Sequence, residues 1–506
     1  MAAVADTCTE PLVTIHPAAP PVYLDPALAP SMQRTLADRA FLHSLTRSLG
    51  SPLNLLLPEQ FAANVDAFTS VFRAHRIRGT VYYAHKANRS SALVRHLAAT
   101  QARIDIASLG ELQHALASGF TPDRIMATGP KTPEFLWLAA RSGVVVNVDS
   151  PAELETLARI CAAHRLPRLP VMTRFSGFSA SGTTIASRLS RFGIHESDVR
   201  KYLEALDRNA AHLELVGVAY HLDTIGVAEK ALALEGSLRL IHEFHAAGHR
   251  PRAIDIGGGY GVSYVARAYQ WEQFTTELTR AVLGQRPSFT WRGHGYGLRA
   301  ENGRLRGALS LYPAHRPVSG PAYLDELLRQ RSPTWGQPYA TLLQELMLDL
   351  IVEPGRALLD QCGTVLARVL EVREADSATT FVRLDINHSD VSLEEHGVAM
   401  DPIVIPEQES SREPGSGYLI GNLCLEADFI SRRKIYFRSM PRAGDLLAFP
   451  NTAGYFMDFN ADHALHQPIA RKVALTGDGG WCLDDEYWPH TGHLAAATQK
   501  TEGEYS

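Results

Sequence analysis

The segment VYYAHKANRSSALVRHLAATQARIDIASLGELQHALASG, residues 81–119, shows the pattern that decides the fold. Two short runs of apolar and β-branched residues, VYYA (81–84) and IDIA (104–107), alternate in it with longer stretches of helical periodicity. The short runs predict buried strands, and the longer stretches predict helices that end near glycine. The segment therefore predicts two consecutive strand-helix units.

The same alternation continues to residue 353. Six further strand-like runs bring the total to eight: IMAT (125–128), VVVNV (144–148), VMTRF (171–175), VGVAYH (216–221), AIDI (253–256) and LDLIVE (348–353). Eight strand-helix units predict an α/β protein with a (β/α)8 barrel of the TIM type. A doubly wound open sheet is the alternative fold, because alternation alone does not show that the sheet closes.

A second domain is predicted after the barrel, because helical periodicity fades beyond residue 358. Strand-like runs follow there: TVLARVLEVRE (364–374), TFVRLDI (380–386), DLLAFPN (445–451) and RKVALTG (471–477). They indicate a mainly β C-terminal domain of the sandwich or barrel kind. The predicted parts of the chain are an N-terminal arm packed on the β domain (1–52), the barrel (53–358), the β domain (359–490) and a flexible tail (491–506).

The stretch from about 262 to 347 is too long for one helix and its two loops. It is rich in glycine, arginine and aromatic residues, as in TWRGHGYGLRAENGRLRG (290–307). Long excursions of this kind often carry function. We predict an insertion that lies at the rim of the active site or at a dimer contact.

Composition favours small-molecule chemistry in the cytoplasm. The 506 residues carry a formal net charge of −5, and no segment concentrates lysine or arginine, which argues against nucleic acid and anionic membranes as partners. No stretch resembles a membrane span or a secretion signal. The five cysteines are scattered without zinc-ligand spacing, so we expect reduced thiols and no metal site.

Polar residues cluster at the predicted carboxyl ends of the strands, where barrel enzymes place their reactive groups. They are His85-Lys86-Ala87-Asn88 after the first strand, Asp105 and Ser108 around the second, His221 and Thr224 after the sixth, Gly257-Gly258-Gly259 after the seventh, and Glu353-Pro354-Gly355-Arg356 at the eighth. Because these ends meet at one face of a barrel, we predict a single site.

Each of these groups has a functional and a structural interpretation. Lys86, desolvated after a buried strand, is expected to have a lowered pKa and to act as an amine nucleophile; otherwise it is a solvated loop charge. Gly257–Gly259 either offer backbone N–H groups to a phosphate or form a tight turn. The run does not fit the dinucleotide-binding fingerprint, because Val262 stands where its third glycine is needed. Arg356 binds a phosphate or lies in a surface turn. Glu353 holds a heterocyclic nitrogen protonated or joins a buried ion pair.

Taken in order, these residues resemble the group of diaminopimelate, ornithine and arginine decarboxylases. These are pyridoxal-phosphate (PLP) enzymes of the alanine-racemase-like fold, a barrel followed by a β domain. The resemblance covers about residues 55–475. YYAHKAN resembles the lysine motif, which implies that Lys86 holds the cofactor. IDIASLGEL resembles the segment whose aspartate and serine, here Asp105 and Ser108, lie beside it.

Four further motifs are similar to the family's cofactor contacts: HLDT, IDIGGGYG, EPGR and AGYFMDF. The contacts that they imply are His221 stacked on the pyridine ring, Glu353 on its nitrogen, and Thr224, Gly257, Gly258, Gly259, Gly355, Arg356 and Tyr455 at or near the phosphate. The cofactor implied by the resemblance is pyridoxal 5'-phosphate.

GNLCLEADFI (421–430) resembles the Gly-Pro-x-Cys segment, whose cysteine reaches into the active site of a partner subunit. The resemblance therefore implies a homodimer with shared sites, in which Cys424 returns a proton to the substrate α-carbon. Together with Lys86 and His221 it completes the implied catalytic residues. Asp385 and Asp428 match aspartates of the substrate site.

Two departures from the family pattern concern the substrate. Leu425 stands where diaminopimelate and ornithine decarboxylases carry an acidic residue, and Glu426 comes one position late. SLEEHGVAM (392–400) replaces the Arg-Pro-x-x-Tyr segment that grips a distal carboxylate. The substrate is therefore expected to be neither diaminopimelate nor ornithine. The basic run 431–434 either meets an acidic substrate group or forms a solvated face.

The predicted activity is removal of the α-carboxylate of an amino acid. A racemase or epimerase is the alternative enzyme, because proton loss gives the same carbanion, although Glu353 favours decarboxylation by keeping the pyridine nitrogen protonated. A PLP-binding regulatory pseudo-enzyme is the alternative of another class. A metal-dependent barrel hydrolase lacks a supporting His/Asp cluster.

Overall fold

The computed structural model of the protein describes residues 20–178, 190–222, 226–477 and 479–489. The whole of the predicted tail, and the first part of the predicted arm, lie outside these residues. None of the described helices combines the length and the apolar character that a membrane-spanning helix needs.

Eight parallel strands pair in chain order, and the last pairs with the first, so that the sheet closes into a barrel. The barrel strands, first to eighth, are Gly79–Ala84, Arg103–Ile106, Ile125–Ala127, Val145–Val148, Leu169–Ser176, Leu213–Ala219, Ala253–Asp255 and Asp349–Val352. Each coincides with one of the eight predicted runs. The TIM-type barrel is confirmed, and the open sheet is excluded.

Helices precede and separate these strands. They are Pro58–His75, Ser91–Ala98, Leu109–Ala117, Pro133–Ser142, Pro151–Ala163, Val199–Arg208, Val227–Ala246, Gly320–Arg329 and Tyr339–Glu345, and a short helix, Gly355–Leu358, follows the eighth strand. Four consecutive helices begin at a hydroxyl side chain that accepts a backbone N–H: Ser90, Ser108, Thr132 and Ser150. Each such cap contributes about 1 kcal/mol. The caps determine where the loops at the carboxyl ends of the strands stop.

The C-terminal domain is a nine-stranded mixed sheet, which confirms the predicted mainly β domain. Its strands are Leu53–Leu56, Gly363–Asp376, Thr379–Leu384, Ile403–Ile405, Gly415–Ile420, Ile435–Phe437, Leu446–Pro450, Arg471–Leu475 and Trp481–Leu483. Leu53–Leu56, which the predicted boundaries assign to the barrel, pairs antiparallel with Gly363–Asp376 and parallel with Arg471–Leu475. The chain thus contributes a strand to the C-terminal sheet before it enters the barrel.

Two helices of the N-terminal arm, Pro30–Ala37 and Arg39–Leu49, pack on the C-terminal sheet. Leu42 of the second helix is fully buried there, in one apolar cluster with Leu366 and Leu446. Burial of these leucines removes apolar surface from water, so the arm and the sheet form a common core.

The region 262–347 contains two different parts. Its later helix Gly320–Arg329 buries leucines in the main core of the barrel and is a regular barrel helix. The earlier part contains the helix Ala268–Val282 and a hairpin, Leu298–Glu301 with Arg304–Gly307, and it packs in a separate apolar cluster with the start of the arm. We call residues 263–316 the inserted segment.

We expect Leu42→Ala to destabilise the protein by about 2–5 kcal/mol, because it leaves a cavity between the arm and the sheet. Thermal unfolding followed by circular dichroism should show a clear fall in the melting temperature. Leu370→Ala is the control, because Leu370 is 42% exposed. Equal melting temperatures for the two variants would contradict the common core.

Candidate active site

One cleft lies at the carboxyl ends of the first, sixth, seventh and eighth barrel strands. The inserted segment and the C-terminal domain complete its walls. Among its lining residues are Lys86, His221, Gly258, Gly259, Gly261, Tyr264, Tyr312, Arg316, Glu353, Gly355, Arg356 and Tyr455. The structure therefore brings together residues that are up to 369 positions apart, from Lys86 to Tyr455.

Lys86 lies in the single turn His85–Ala87 that follows the first strand, and its side chain is accessible in the cleft. Burial acts to lower the pKa of Lys86. The nearby side chains of Tyr455, Asp105 and Glu353 act against burial, and together they hold the pKa above the ordinary value of lysine. The predicted lowered pKa is wrong for the protein without cofactor, because the sequence pattern did not reveal these neighbours.

The glycine segment Gly257–Gly259 passes between two other parts of the site without room for side chains. Gly257 has a φ of 63°, and a Cβ added there would lie 2.7 Å from the His221 Nδ1 atom. A Cβ added at Gly258 would lie 2.9 Å from the Glu353 carbonyl oxygen. Gly258 and Gly259 of this segment line the cleft without side chains, as an approaching phosphate group requires.

His221 is held in one orientation by the glycine segment. Its Nδ1 atom accepts a hydrogen bond from the Gly258 N–H at 3.4 Å. Burial, followed by the charges of Lys86 and Lys230, keeps the pKa of His221 well below its ordinary value. The imidazole is therefore neutral at pH 7 and presents a flat, uncharged ring to the cleft.

Three carboxyl groups converge below the cleft. Burial and the neighbouring Glu353 carboxylate raise the pKa values of Asp105 and Asp255 well above the ordinary range. The Oδ1 atom of Asp105 is buried without a hydrogen-bond partner among the described residues. Like charges this close do not all ionise. The group is suited to a bound ring that brings a protonated nitrogen.

The C-terminal domain contributes Tyr455 to the cleft. Its backbone N–H donates to the Ala87 carbonyl oxygen at 2.8 Å, next to Lys86. A Cβ added at Gly355 would lie 3.0 Å from the Tyr455 hydroxyl, so this tyrosine adjoins the start of the short helix that follows Glu353. The guanidinium carbon of Arg356 lies 5.5 Å from the centre of the Tyr455 ring. A hydroxyl, a guanidinium and glycine backbone thus share one wall.

Lys230 is a residue of the site that the sequence analysis missed. Its side chain is fully buried, and its ammonium donates to the carbonyl oxygens of Ile256 (2.8 Å) and Gly258 (2.5 Å). It also lies 5.3 Å from the centre of the Tyr260 ring. Burial lowers its pKa to about 8. By holding these carbonyl groups on the side away from the cleft, Lys230 orients the glycine segment and places a positive charge behind it.

A signal for Lys230 exists in the sequence. The helix Val227–Ala246 buries Ala233, Leu234, Ser237 and Leu238, and Lys230 precedes them at the helical spacing of three and four residues. A lysine on the buried stripe of a helix is rare unless its charge has partners. This position alone should have indicated a buried functional or structural cation.

Several predicted residues lie elsewhere. Ser108 caps the helix Leu109–Ala117 by accepting the Glu111 N–H and does not line the cleft. Thr224 lies outside the described residues. Asp385 accepts a bond from the Asn422 side chain at 3.4 Å, away from the cleft of its own chain.

The loop 421–428 is held by Asp428. Its two carboxylate oxygens accept backbone N–H groups of His388 and Leu423, each at 2.9 Å, so Asp428 has a structural task in this chain. Cys424, Leu425 and Glu426 are exposed on the same loop, and none of them lines the cleft of its own chain. Their predicted roles stay predictions.

The basic run 431–434 is not a free positive patch. Arg433 is 1% exposed and pairs with Asp401 at 2.6 Å, and the Lys434 ammonium donates to the Ala378 carbonyl oxygen at 2.8 Å. The Arg432 N–H donates to Glu394. These bonds join strands and loops of the C-terminal domain, so the run has a structural role.

A closed barrel with this lysine, glycine segment and buried carboxylate at its strand ends, followed by a β domain that adds a tyrosine, defines the alanine-racemase-like class of PLP enzymes. Two family models match the chain. The pyridoxal-binding domain of pyridoxal-dependent decarboxylases matches residues 59–308, and the C-terminal sheet domain of the same family matches residues 264–453. The chain belongs to the pyridoxal-dependent decarboxylases, which are amino-acid lyases, and its cofactor is pyridoxal 5'-phosphate.

Individual relatives are distant. An uncharacterized protein of Sinorhizobium fredii, y4yA, is 31% identical over 441 residues, which are 85% of this chain and 88% of that protein. Diaminopimelate decarboxylase of Methanothermobacter thermautotrophicus is 24% identical and covers 83% of this chain and 85% of its own length. The solved structure of diaminopimelate decarboxylase from M. jannaschii with L-lysine has a TM-score of 0.67 at 19% identity, covering 88% of this chain and 91% of that chain. The last match concerns the fold alone.

We expect Lys230→Met to weaken binding of PLP by at least about tenfold at pH 7, since it removes the charge behind the glycine segment. Pyridoxal, which lacks the phosphate, should bind with nearly unchanged affinity. Spectral titration of the apoenzyme measures both constants, and circular dichroism checks the fold. Unchanged PLP affinity in a folded variant would remove Lys230 from phosphate binding.

The same residue predicts a pH effect in the wild-type protein. A phosphate dianion favours the protonated form of Lys230, whose pKa is about 8. Above about pH 7, where the phosphate is mostly a dianion, the ratio of PLP affinity to pyridoxal affinity should therefore fall as the pH rises through the pKa of Lys230. The ratio should not fall in Lys230→Met, and an identical fall in both proteins would assign it to another group.

Proposed function

We propose that this chain, as a homodimer with shared active sites, removes the α-carboxylate of an amino acid, with Lys86 holding the cofactor and Cys424 of the partner subunit acting as the proton donor. The observation that supports this most is the convergence of Lys86, His221, the glycine segment, Glu353 and Tyr455 in one cleft. Bound PLP supplies a protonated ring that accepts the electron pair released when the bond between the α-carbon and the carboxylate breaks.

The residues around the cofactor position have separate tasks in this proposal. Glu353 would keep the pyridine nitrogen protonated, and the neutral imidazole of His221 would face the ring. The glycine segment, Arg356 and Tyr455 bind the phosphate. Lys86 has a raised pKa in the free protein, so it must lose a proton before its nitrogen attacks the aldehyde carbon. Cofactor attachment should therefore become faster as the pH rises.

The proton that replaces CO2 at the α-carbon needs a donor. Cys424 is exposed on the loop 421–428 and does not line the cleft of its own chain. This role requires that the exposed thiol enters the cleft of a second subunit. In this step the bond between the α-carbon and the carboxylate breaks, CO2 leaves, and the thiol proton replaces it on the α-carbon.

The proposed substrate is neither diaminopimelate nor ornithine. Leu425 is 54% exposed and has no charge for a distal ammonium. In the segment that replaces Arg-Pro-x-x-Tyr, Glu394 accepts hydrogen bonds from the hydroxyl groups of Tyr296 and Ser431. His396 is stacked against Tyr455, with ring centres 6.1 Å apart. These side chains are already engaged in contacts within the chain. We therefore propose that this segment does not bind the distal carboxylate of diaminopimelate.

Borohydride reduction of the holoenzyme should fix the cofactor covalently to Lys86, because reduction converts the reversible carbon-nitrogen bond into a stable amine. Peptide mass spectrometry locates the label. Lys86→Ala should take up no label at this peptide. Recovery of the label on another lysine would show that Lys86 does not hold the cofactor.

Cys424→Ala should retain the cofactor spectrum and lose about 10²- to 10⁴-fold in turnover, as expected when a proton donor is removed. Lys86→Ala should be inactive. Mixing the two inactive variants should restore about a quarter of the wild-type activity, because each mixed dimer has one intact site. No recovery after verified subunit exchange would exclude a shared site. Inversion at the α-carbon without CO2 release would identify a racemase instead.

A further inference from the structure

Two guanidinium groups share the cleft, and neither has a carboxylate partner among the described residues. Arg316 and Arg356 both line it, and both are half-buried. Among the described residues, no carboxylate oxygen lies within the 4.0 Å that defines an ion pair for either of them. Two like charges repel each other, and the repulsion grows when they are partly removed from water. A nearby anion is therefore needed to stabilise this pair.

Arg316 reaches the cleft through the inserted segment. The Ser263 hydroxyl accepts the Arg316 N–H at 2.8 Å and donates to the Arg316 carbonyl oxygen at 3.0 Å. Just beside it, the Tyr264 N–H donates to the Ala314 carbonyl oxygen at 2.8 Å. These bonds join the two ends of the inserted segment, so the backbone of Arg316 has a defined position at the wall of the cleft.

The side chain of Arg316 occupies space that a glycine leaves open. It lies over Gly261, which has a φ of 65°, and a Cβ added to this glycine would lie 2.9 Å from the Arg316 Cδ atom and 3.3 Å from its Nη1 atom. Any larger residue at 261 would displace the guanidinium. Burial and the neighbouring charge of Arg356 lower the pKa of Arg316, which is consistent with a cation that lacks its counter-ion.

A count of charges indicates what the anion is. With the cofactor bound as proposed above, its phosphate carries about −1.5 to −2 charges. Lys230 behind the glycine segment and Arg356 beside it match that charge. The protonated ring nitrogen matches Glu353, and Lys86 is bonded to the cofactor. Of the cationic side chains that line the cleft, Arg316 is left over, so its partner must come with the substrate.

We propose that Arg316 binds an acidic group at the end of the substrate side chain. The substrate class is then an α-amino acid whose side chain ends in a carboxylate or a similar oxyanion, and not in an ammonium. The inserted segment is the element that supplies this specificity. This inference rests on the proposed function, because it assumes an amino acid bound beside PLP.

The test uses holoenzyme with Arg316→Gln, which removes the charge, and Arg316→Lys, which keeps it. Arg306→Gln is the matched control, because Arg306 is exposed on the hairpin of the same inserted segment. CO2 release is measured for acidic amino acids of increasing length, for their amides and for ornithine. Spectral titration measures binding of the same compounds independently of turnover.

We expect wild type and Arg306→Gln to prefer an acid over its amide by at least about tenfold in kcat/KM or in spectral affinity. Arg316→Lys should keep part of this preference. Arg316→Gln should lose this preference through a higher KM and keep its affinity for PLP. An unchanged preference in Arg316→Gln would overturn the proposal. So would a selective loss of PLP affinity, with pyridoxal binding unchanged, because the anion would then be the cofactor phosphate.

Failure of the proposed function gives a different result. If none of the compounds releases CO2 with any of the proteins, the proposed decarboxylase activity is wrong. The spectral binding titrations still decide the role of Arg316 in that case. Acid-selective spectral changes that disappear only in Arg316→Gln would then support an acidic ligand. Equal spectral changes with acids, amides and ornithine would overturn the proposed role of Arg316.

Discussion

The closest packing in the site is the passage of the glycine segment between His221 and Glu353. No side chain fits at Gly257 or Gly258, because a Cβ would lie 2.7 Å from the His221 ring or 2.9 Å from the Glu353 carbonyl oxygen. Lys230 holds the segment from behind through two carbonyl groups. The sixth, seventh and eighth strand ends are thereby joined into one surface. Every proposed cofactor contact on that side of the cleft depends on this packing.

The second constraint is the junction between the two domains. Tyr455 donates its backbone N–H to Ala87, one residue after the proposed cofactor lysine, and it raises the pKa of Lys86. The strand Leu53–Leu56 meanwhile joins the C-terminal sheet directly before the barrel begins. The C-terminal domain therefore forms part of the candidate active site. A change at this junction is expected to alter the protonation of the lysine as well as the stability of the sheet.

The fold was largely predictable because its signals are local. Eight apolar runs and their helices follow from periodicity, and a barrel places their carboxyl ends together. Lys86, Gly257–Gly259 and Glu353 were found by their position after strands. The lowered pKa expected of Lys86 was wrong, because Tyr455 and Asp105 come from other parts of the chain. Ser108 and Asp428 showed that a motif residue can have a structural bond that the motif does not reveal.

The sequence by itself determined the barrel, the β domain, the family and the cofactor, because these depend on patterns within short segments and on motifs in a set order. Only the tertiary structure decided how charges are distributed around the cleft. The buried ammonium of Lys230, the converging carboxyl groups and the position of the Arg316 guanidinium, which has no carboxylate partner among the described residues, each depend on contacts between distant segments. Electrostatic interactions act through space at a few ångströms, so the charge balance that selects a substrate is set by the packing and not by the order of residues.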